Sequence, residues 1–377
     1  MKKAIVIDNG TSYSKNGFAG EDQPRSVFST LIGYPEPQML ANFNDQVRKY
    51  YIGTEALRIS KLLRLVYPID HCIVDNWDSM EDIWQYTFQE ELRVNPSEHP
   101  VLLMESPLIG PRLNREKMAE IMFETFKVPA LFVSNQAFLA LYASGRTTGV
   151  VVDIGESLTQ IVPIYEGFVI SHAVQRLDIG GRDITEFLGR LLFQRGYKFS
   201  GLIEHDWIRK IKESCCYVSL DPEKEIKRGI GGKEKIYLLP YGETLTIGFE
   251  AFVAPEMLFN PATIGLEAGP IDENIYFTIQ NTDISLRDEF YANIVLAGGS
   301  TLFPGFKERL HKQLTEMVPE AIEVRLIAPP ERKYSAWYGG SICSSLKSFQ
   351  RLWITEKDYF EVGPTVIHRC FNMRFDN

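Results

Sequence analysis

The chain is poor in several features that would narrow its role at once. It has 377 residues but only five cysteines, Cys72, Cys215, Cys216, Cys343 and Cys370. Their spacing fits no CxxC metal or redox motif, and an odd count suits a reducing compartment. There is no excess of positive charge: 49 acidic against 40 basic side chains give a net charge of −9. General electrostatics therefore favour neither nucleic acid nor an anionic membrane face. No apolar run approaches a membrane span, and the apolar residues Ala4–Ile7 after Met1-Lys2-Lys3 are too few for a signal peptide. Low-complexity tracts and flexible linkers are also missing. These absences predict a cytoplasmic or nuclear protein with no nucleic-acid partner and no membrane insertion. At 45% hydrophobic residues the chain can bury large cores, and its length predicts two or three domains.

What the chain does have is an internal repeat. Ala4-Ile5-Val6-Ile7-Asp8-Asn9-Gly10-Thr11-Ser12 returns 145 positions later as Gly149-Val150-Val151-Val152-Asp153-Ile154-Gly155-Glu156-Ser157. Each copy reads as a buried strand, a tight turn and a second strand. Gly10 and Gly155 are expected to supply turn dihedrals that a Cβ would oppose. Turns of this kind offer backbone N–H groups and hydroxyls to an anion. A single Asp-x-Gly turn is usually an ordinary turn; two matched copies predict two similar lobes with facing phosphate loops. Asp8 and Asp153 then stand where a hydrated Mg²⁺ would sit, an ion that keeps most of its waters. Lys15, at the repeat position of Gln160, reads as a phosphate contact rather than an exposed strand lysine.

Further glycine-rich turns fall before predicted helices. Leu296-Ala297-Gly298-Gly299-Ser300-Thr301-Leu302-Phe303 follows an apolar stretch and precedes a helix predicted over 306–317. Asp178-Ile179-Gly180-Gly181 is the second. A helix predicted over 204–220 puts Asp206, Arg209 and Lys212 on one face. The bland alternative for that face is a solvated charged stripe; the functional one is a polar wall beside a ribose and base.

Taken together these parts resemble the actin, sugar-kinase and heat-shock-chaperone class. The resemblance to the actin family is much closer than that. It is carried by Ile7-Asp8-Asn9-Gly10, Gly17-Phe18-Ala19-Gly20, Glu98-His99-Pro100-Val101-Leu102-Leu103, Leu141-Tyr142-Ala143-Ser144-Gly145-Arg146-Thr147-Thr148-Gly149, Ala328-Pro329-Pro330-Glu331-Arg332-Lys333-Tyr334-Ser335 and Ile367-His368-Arg369-Cys370-Phe371. These strings span essentially the whole chain without large insertions.

The resemblance implies an α/β actin fold, two RNase-H-like lobes around a nucleotide cleft, in four subdomains. The first would take 1–32, 69–143 and 335–377, and the second 33–68. The third would take 144–179 and 270–334, and the fourth 180–269. ATP or ADP with Mg²⁺ is the implied cofactor. Phosphates and metal would meet Asp8, Gly10, Thr11, Ser12, Lys15, Asp153, Gly155, Glu156, Ser157 and Gly181. The nucleoside would meet Asp206, Arg209, Lys212, Gly298, Gly299, Ser300, Leu302, Phe303 and Lys333. Gln136 would position the attacking water, with Gln160 near the terminal phosphate. Asp8, Gln136 and Asp153 would reach the metal through water.

The implied activity is slow ATP hydrolysis, faster in a filament of the protein with itself and with a cytoskeletal location. The alternative is a non-filamentous actin-related subunit of a larger complex. Three segments carry the filament expectation. Thr263-Ile264-Gly265-Leu266-Glu267 resembles a plug loop, and 35–51 carries Met39, Leu40 and Phe43 as a sticky contact. A groove lined by Tyr142, Thr147, Ile342, Leu346 and Phe349, beside Tyr165 and Phe168, would receive it and actin-binding proteins.

Departures from the family pattern are Ser12 for a glycine, Glu156-Ser157 for Asp-Gly, Gln160 for a histidine, Asp206 for a glutamate and Phe303 for a tyrosine. Lys2 and Lys3 stand where an acidic tip is usual. His71 matches a histidine that is often methylated, with Cys72 in place of the glycine after it. Cys215 and Cys216 are expected to be buried, and Cys370 to be the exposed thiol.

Overall fold

The computed structural model describes residues 2–37, 39, 47–106, 112–199, 201–227 and 234–371. Leu40, Phe43 and the segment 372–377 lie outside the described residues. Two six-stranded sheets carry the two hairpins. Contacts divide the chain into one unit of 1–151, 164–171 and 334–377 and another of 152–163 and 172–333.

In the first unit the apolar run near the start becomes the strand Ile5–Asn9, whose first four residues are buried. It lies between Tyr13–Phe18, antiparallel, and Val101–Glu105, parallel. Ala130–Asn135 continues the parallel set, and Ile354–Thr355 and Ser26–Ser29 close the two edges. Strands buried on both faces read as continuous apolar runs, which is why Val101–Glu105 and Ala130–Asn135 contain so few polar residues. Asn135 ends its strand and caps the helix Gln136–Ala143, its side chain accepting from the N–H groups of Ala137 and Phe138. That helix packs on Ser335–Ser345 at very close range. A Cβ at Gly339 would overlap the carbonyl oxygen of Leu139, so only glycine allows the approach. Trp337, fully buried, donates its Nε1–H to the Val6 carbonyl at 3.0 Å. These contacts fix the helix that presents Gln136 against the strand that presents Asp8.

In the second unit the helix Gly181–Gln194 buries Ile184, Leu188, Leu191 and Leu192, one stripe at helical spacing. It packs on Leu202–Cys215, whose buried stripe is Ile208, Ile211, Lys212 and Cys215. The helix predicted over 204–220 therefore ends five residues early. Tyr217 N–H donates to the Ala251 carbonyl at 2.9 Å and Val218 N–H to the Pro304 carbonyl at 2.8 Å. Bonds to two distant segments outweigh local helix propensity there. The helix over 306–317 forms as expected.

Three further expectations are corrected. Phe349 is 1% exposed, wedged against Phe132 and Trp353, and so does not line an open groove. Met39 packs with Ala56 and Leu63 in a small core instead of facing solvent. Cys370 is buried and its thiol is pushed up to about 12 by desolvation, so it is not the exposed thiol. Cys215 and Cys216 are buried as expected, and Cys72 is the one cysteine that is partly accessible.

Candidate functional site

The two hairpins share one backbone device. Gly10 N–H donates to the Tyr13 carbonyl and Gly155 N–H to the Leu158 carbonyl, each at 3.0 Å. Donor and acceptor are both shifted by the repeat spacing, so the duplication seen in sequence is a duplication of turn geometry. Neither glycine adopts a positive φ, against expectation. Their lack of a side chain serves space instead: a Cβ at Gly10 would stand 3.1 Å from the Tyr13 oxygen and 3.5 Å from Lys15 Nζ.

In the first hairpin Asp8 and Lys15 face each other across the antiparallel pair. Lys15 Nζ meets Asp8 Oδ2 at 2.7 Å, and Gln136 Nε2 donates to Asp8 Oδ1 at 2.7 Å. The Asp8 side chain is only 3% exposed, so both carboxylate oxygens are engaged in a nearly dry setting. Thr11 is buried, while Gly10 and Ser12 are half-buried. Sequence reasoning missed Thr30. Its N–H donates to the Ser12 carbonyl at 3.0 Å and its Oγ1 to the Gly10 carbonyl at 2.8 Å, pinning the turn. Its signal in the sequence, a threonine after a strand, is too common to single out.

In the second unit Gly181 is the centre of a polar cluster. A Cβ there would stand 2.8 Å from Glu156 Oε2, 2.9 Å from Ser300 Oγ and 3.0 Å from Lys212 Nζ. Gly181 N–H donates to the Gly155 carbonyl at 2.9 Å and Ser300 Oγ–H to the same carbonyl at 3.1 Å. Lys212 Nζ donates to the Gly181 carbonyl at 2.6 Å. Lys212 is 4% exposed, and burial holds its pKa below the ordinary lysine value, with the Glu156 carboxylate opposing that shift. Ser157 and Gln160 are buried in the hairpin. Gly298 has φ +83°, and a Cβ on it would overlap Asp153 Oδ1 and the Ile154 carbonyl. Gly299 lies beside the Lys333 side chain; Phe303 is buried and Leu302 is exposed. Arg332, which the sequence reading passed over, holds this turn. Its Nε donates to Thr301 Oγ1 at 2.9 Å and its Nη2 to the Thr301 carbonyl at 2.8 Å.

The expected face of Asp206, Arg209 and Lys212 is split. Arg209 and Lys210 both pair with Asp206, whereas Lys212 turns onto the buried stripe and reaches Gly181. Burial lowers the Arg209 pKa. The structure thus gathers Asp8, Lys15 and Gln136 in one unit. In the other it gathers Gly155, Glu156, Gly181, Lys212 and Ser300, with Asp153 beside Gly298. Among the described residues no group of three or more His, Cys, Asp or Glu side chains is placed to hold a metal directly.

Mixed α/β architecture with two matched strand–turn–strand hairpins, each with an aspartate next to the end of its first strand and a lysine or glutamine on its second, is that of the actin-like class. The family model for actin matches residues 1–372, and the chain belongs to the actin family. Its fold is the actin fold. Members of that family generally bind ATP and have ATPase activity, with a divalent metal. No described helix is long and apolar enough to cross a membrane.

Proposed function

We propose that this protein binds Mg-ATP, hydrolyses it slowly and assembles with itself into filaments. The observation that carries the nucleotide reading is the paired hairpin, with its matched Gly10–Tyr13 and Gly155–Leu158 hydrogen bonds at 3.0 Å. Lys15 would meet phosphate oxygens as a point charge, and Lys212, Ser300 and Gly181 would line the nucleotide side. The remaining residues in contact would be Thr11, Ser12, Gly155, Glu156, Ser157, Asp206, Arg209, Gly298, Gly299, Leu302, Phe303 and Lys333. The donor set fits Mg²⁺ held through water: Asp8 already accepts from Lys15 and Gln136, and a water-mediated contact displaces neither. When bound, the ion offsets charge developing on the phosphate oxygens. Gln136 cannot take a proton at neutral pH. With Nε2 given to Asp8, its Oε1 is the end that orients a water. Gln160 lacks the titrating ring usual at its position, so hydrolysis should depend little on pH between about 6 and 8.

Assembly is supported by Leu266, 37% exposed in a loop, and by exposed Tyr165 and Phe168. A head-to-tail contact between unlike patches does not close and so builds filaments. The second reading is a non-filamentous actin-related subunit, and the burial of Met39 and Phe349 favours it. Fluorescent-ATP titration combined with sedimentation and electron microscopy in Mg-ATP tests both. Nucleotide binding with a protein that stays monomeric at high micromolar concentration selects the subunit; no binding removes the nucleotide reading.

A further inference from the structure

Thr30 does more than its place in the sheet requires. Tyr13 pairs with Ser29, so the bond from Thr30 N–H to the Ser12 carbonyl at 3.0 Å is the next rung of that ladder, which almost any residue there would supply. The hydroxyl is the addition: Thr30 Oγ1–H donates to the Gly10 carbonyl at 2.8 Å. Thr30 is 1% exposed, so it can act on a ligand only through the turn it holds.

The second hairpin has the same arrangement, built from another part of the chain. The carbonyl of Gly155, the repeat counterpart of Gly10, accepts from Ser300 Oγ–H at 3.1 Å and from Gly181 N–H at 2.9 Å. The repeat counterpart of Thr30 is Gln175, not Ser300, so the hydroxyl is no part of the duplicated string. Two unrelated segments thus deliver the same group to the same carbonyl. A trans peptide plane holds its C=O and the following N–H in opposite directions. Fixing the Gly10 carbonyl on Thr30 therefore points the Thr11 N–H the other way, and fixing the Gly155 carbonyl on Ser300 does the same for the Glu156 N–H. Without the hydroxyl either plane is freer to turn over and set its oxygen, the negative end of the dipole, against an anion in the turn.

We propose that Thr30 is a positioning residue for polyphosphate binding: its hydroxyl, matched by that of Ser300 in the other unit, locks a glycine carbonyl so that the N–H after it is presented to the phosphates. This role rests on the nucleotide reading above and adds to it a residue that touches no nucleotide.

Thr30→Val keeps the side chain's shape and the backbone rung and removes the hydroxyl; Thr30→Ser restores it. Displacement of a fluorescent ATP by ATP, ADP and adenosine is measured with Mg²⁺ on the parent and both variants. We expect Thr30→Val to weaken ATP and ADP about tenfold, the loss of one hydrogen bond to a charged group, and adenosine by less than about threefold. Thr30→Ser should return ATP and ADP to within about threefold of the parent. If Thr30→Val does not fold, amide exchange in the parent decides: ADP, and not adenosine, should slow exchange of the Thr30 N–H, because a phosphate held by the turn steadies the Ser12 carbonyl. A hydroxyl that serves only the fold lowers stability and leaves the ADP-to-adenosine ratio where it was. That result, failed rescue by serine, or equal exchange with ADP and adenosine would overturn the role given to Thr30 alone. A parent that binds neither ATP nor ADP would remove the nucleotide reading, and this role with it.

Discussion

Gln136 Nε2 donates to Asp8 Oδ1 at 2.7 Å, joining residues 128 positions apart in the chain. The bond ties the start of one helix to the end of the first strand, and it leaves Lys15 to satisfy the other oxygen. Gln136→Ala keeps the Lys15–Asp8 pair and removes the amide that would orient water. We expect hydrolysis to slow at least about tenfold while ATP affinity falls by less than about threefold. Single-turnover phosphate release against an equilibrium ATP titration separates the two; equal losses would show that Gln136 only binds.

Gly181→Ala places a methyl among Glu156 Oε2, Ser300 Oγ and Lys212 Nζ. Its backbone is not left-handed, so alanine adds no backbone strain there. Thermal stability should therefore hold while nucleotide affinity falls about tenfold or more. Calorimetric binding alongside a melting curve reads both, and unchanged affinity would remove Gly181 from the site.

Lys212 sets stability against function. Burial lowers its folded-state pKa below the unfolded value. Between the two values the unfolded chain binds more protons, so this group's contribution to stability rises with pH up to about 10.4. Lys212→Met removes that slope and the cost of a buried ammonium. We expect the nucleotide-free variant to gain about 1 kcal/mol at neutral pH and to bind nucleotide more weakly. Denaturant unfolding of parent and variant from pH 7 to 10 checks the sign: their difference should shrink as pH rises.

Leu266 is exposed beside Gly265, which has φ of 78°. Leu266→Asp should leave the monomer's unfolding free energy within about 0.5 kcal/mol of the parent, as surface changes do. It should raise the critical concentration for assembly if that loop is a strand-to-strand contact. Sedimentation across a concentration series gives the answer; equal assembly by the variant would exclude the loop from the filament contact.

The repeat was legible from residues alone because it is written in local pattern: buried β-branched runs, then Asp-x-Gly, at one fixed spacing. Strand positions in the hairpins and the helix over 306–317 follow from such local rules. The actin family membership was also readable, because its strings run the length of the chain. What the sequence could not give depends on groups far apart in the chain. Helix Leu202–Cys215 stops where Tyr217 and Val218 find carbonyls at Ala251 and Pro304. Periodicity puts Lys212 on one polar face with Asp206 and Arg209, yet helix packing carries it onto the buried stripe and against Gly181. Phe349 is expected to line a receiving groove and Cys370 to be the exposed thiol. Phe349 is covered by Phe132 and Trp353, a neighbourhood that only tertiary packing creates, and Cys370 too is buried. Periodicity records which face of an element is apolar; burial of a single polar or terminal residue is decided by what the rest of the chain lays over it.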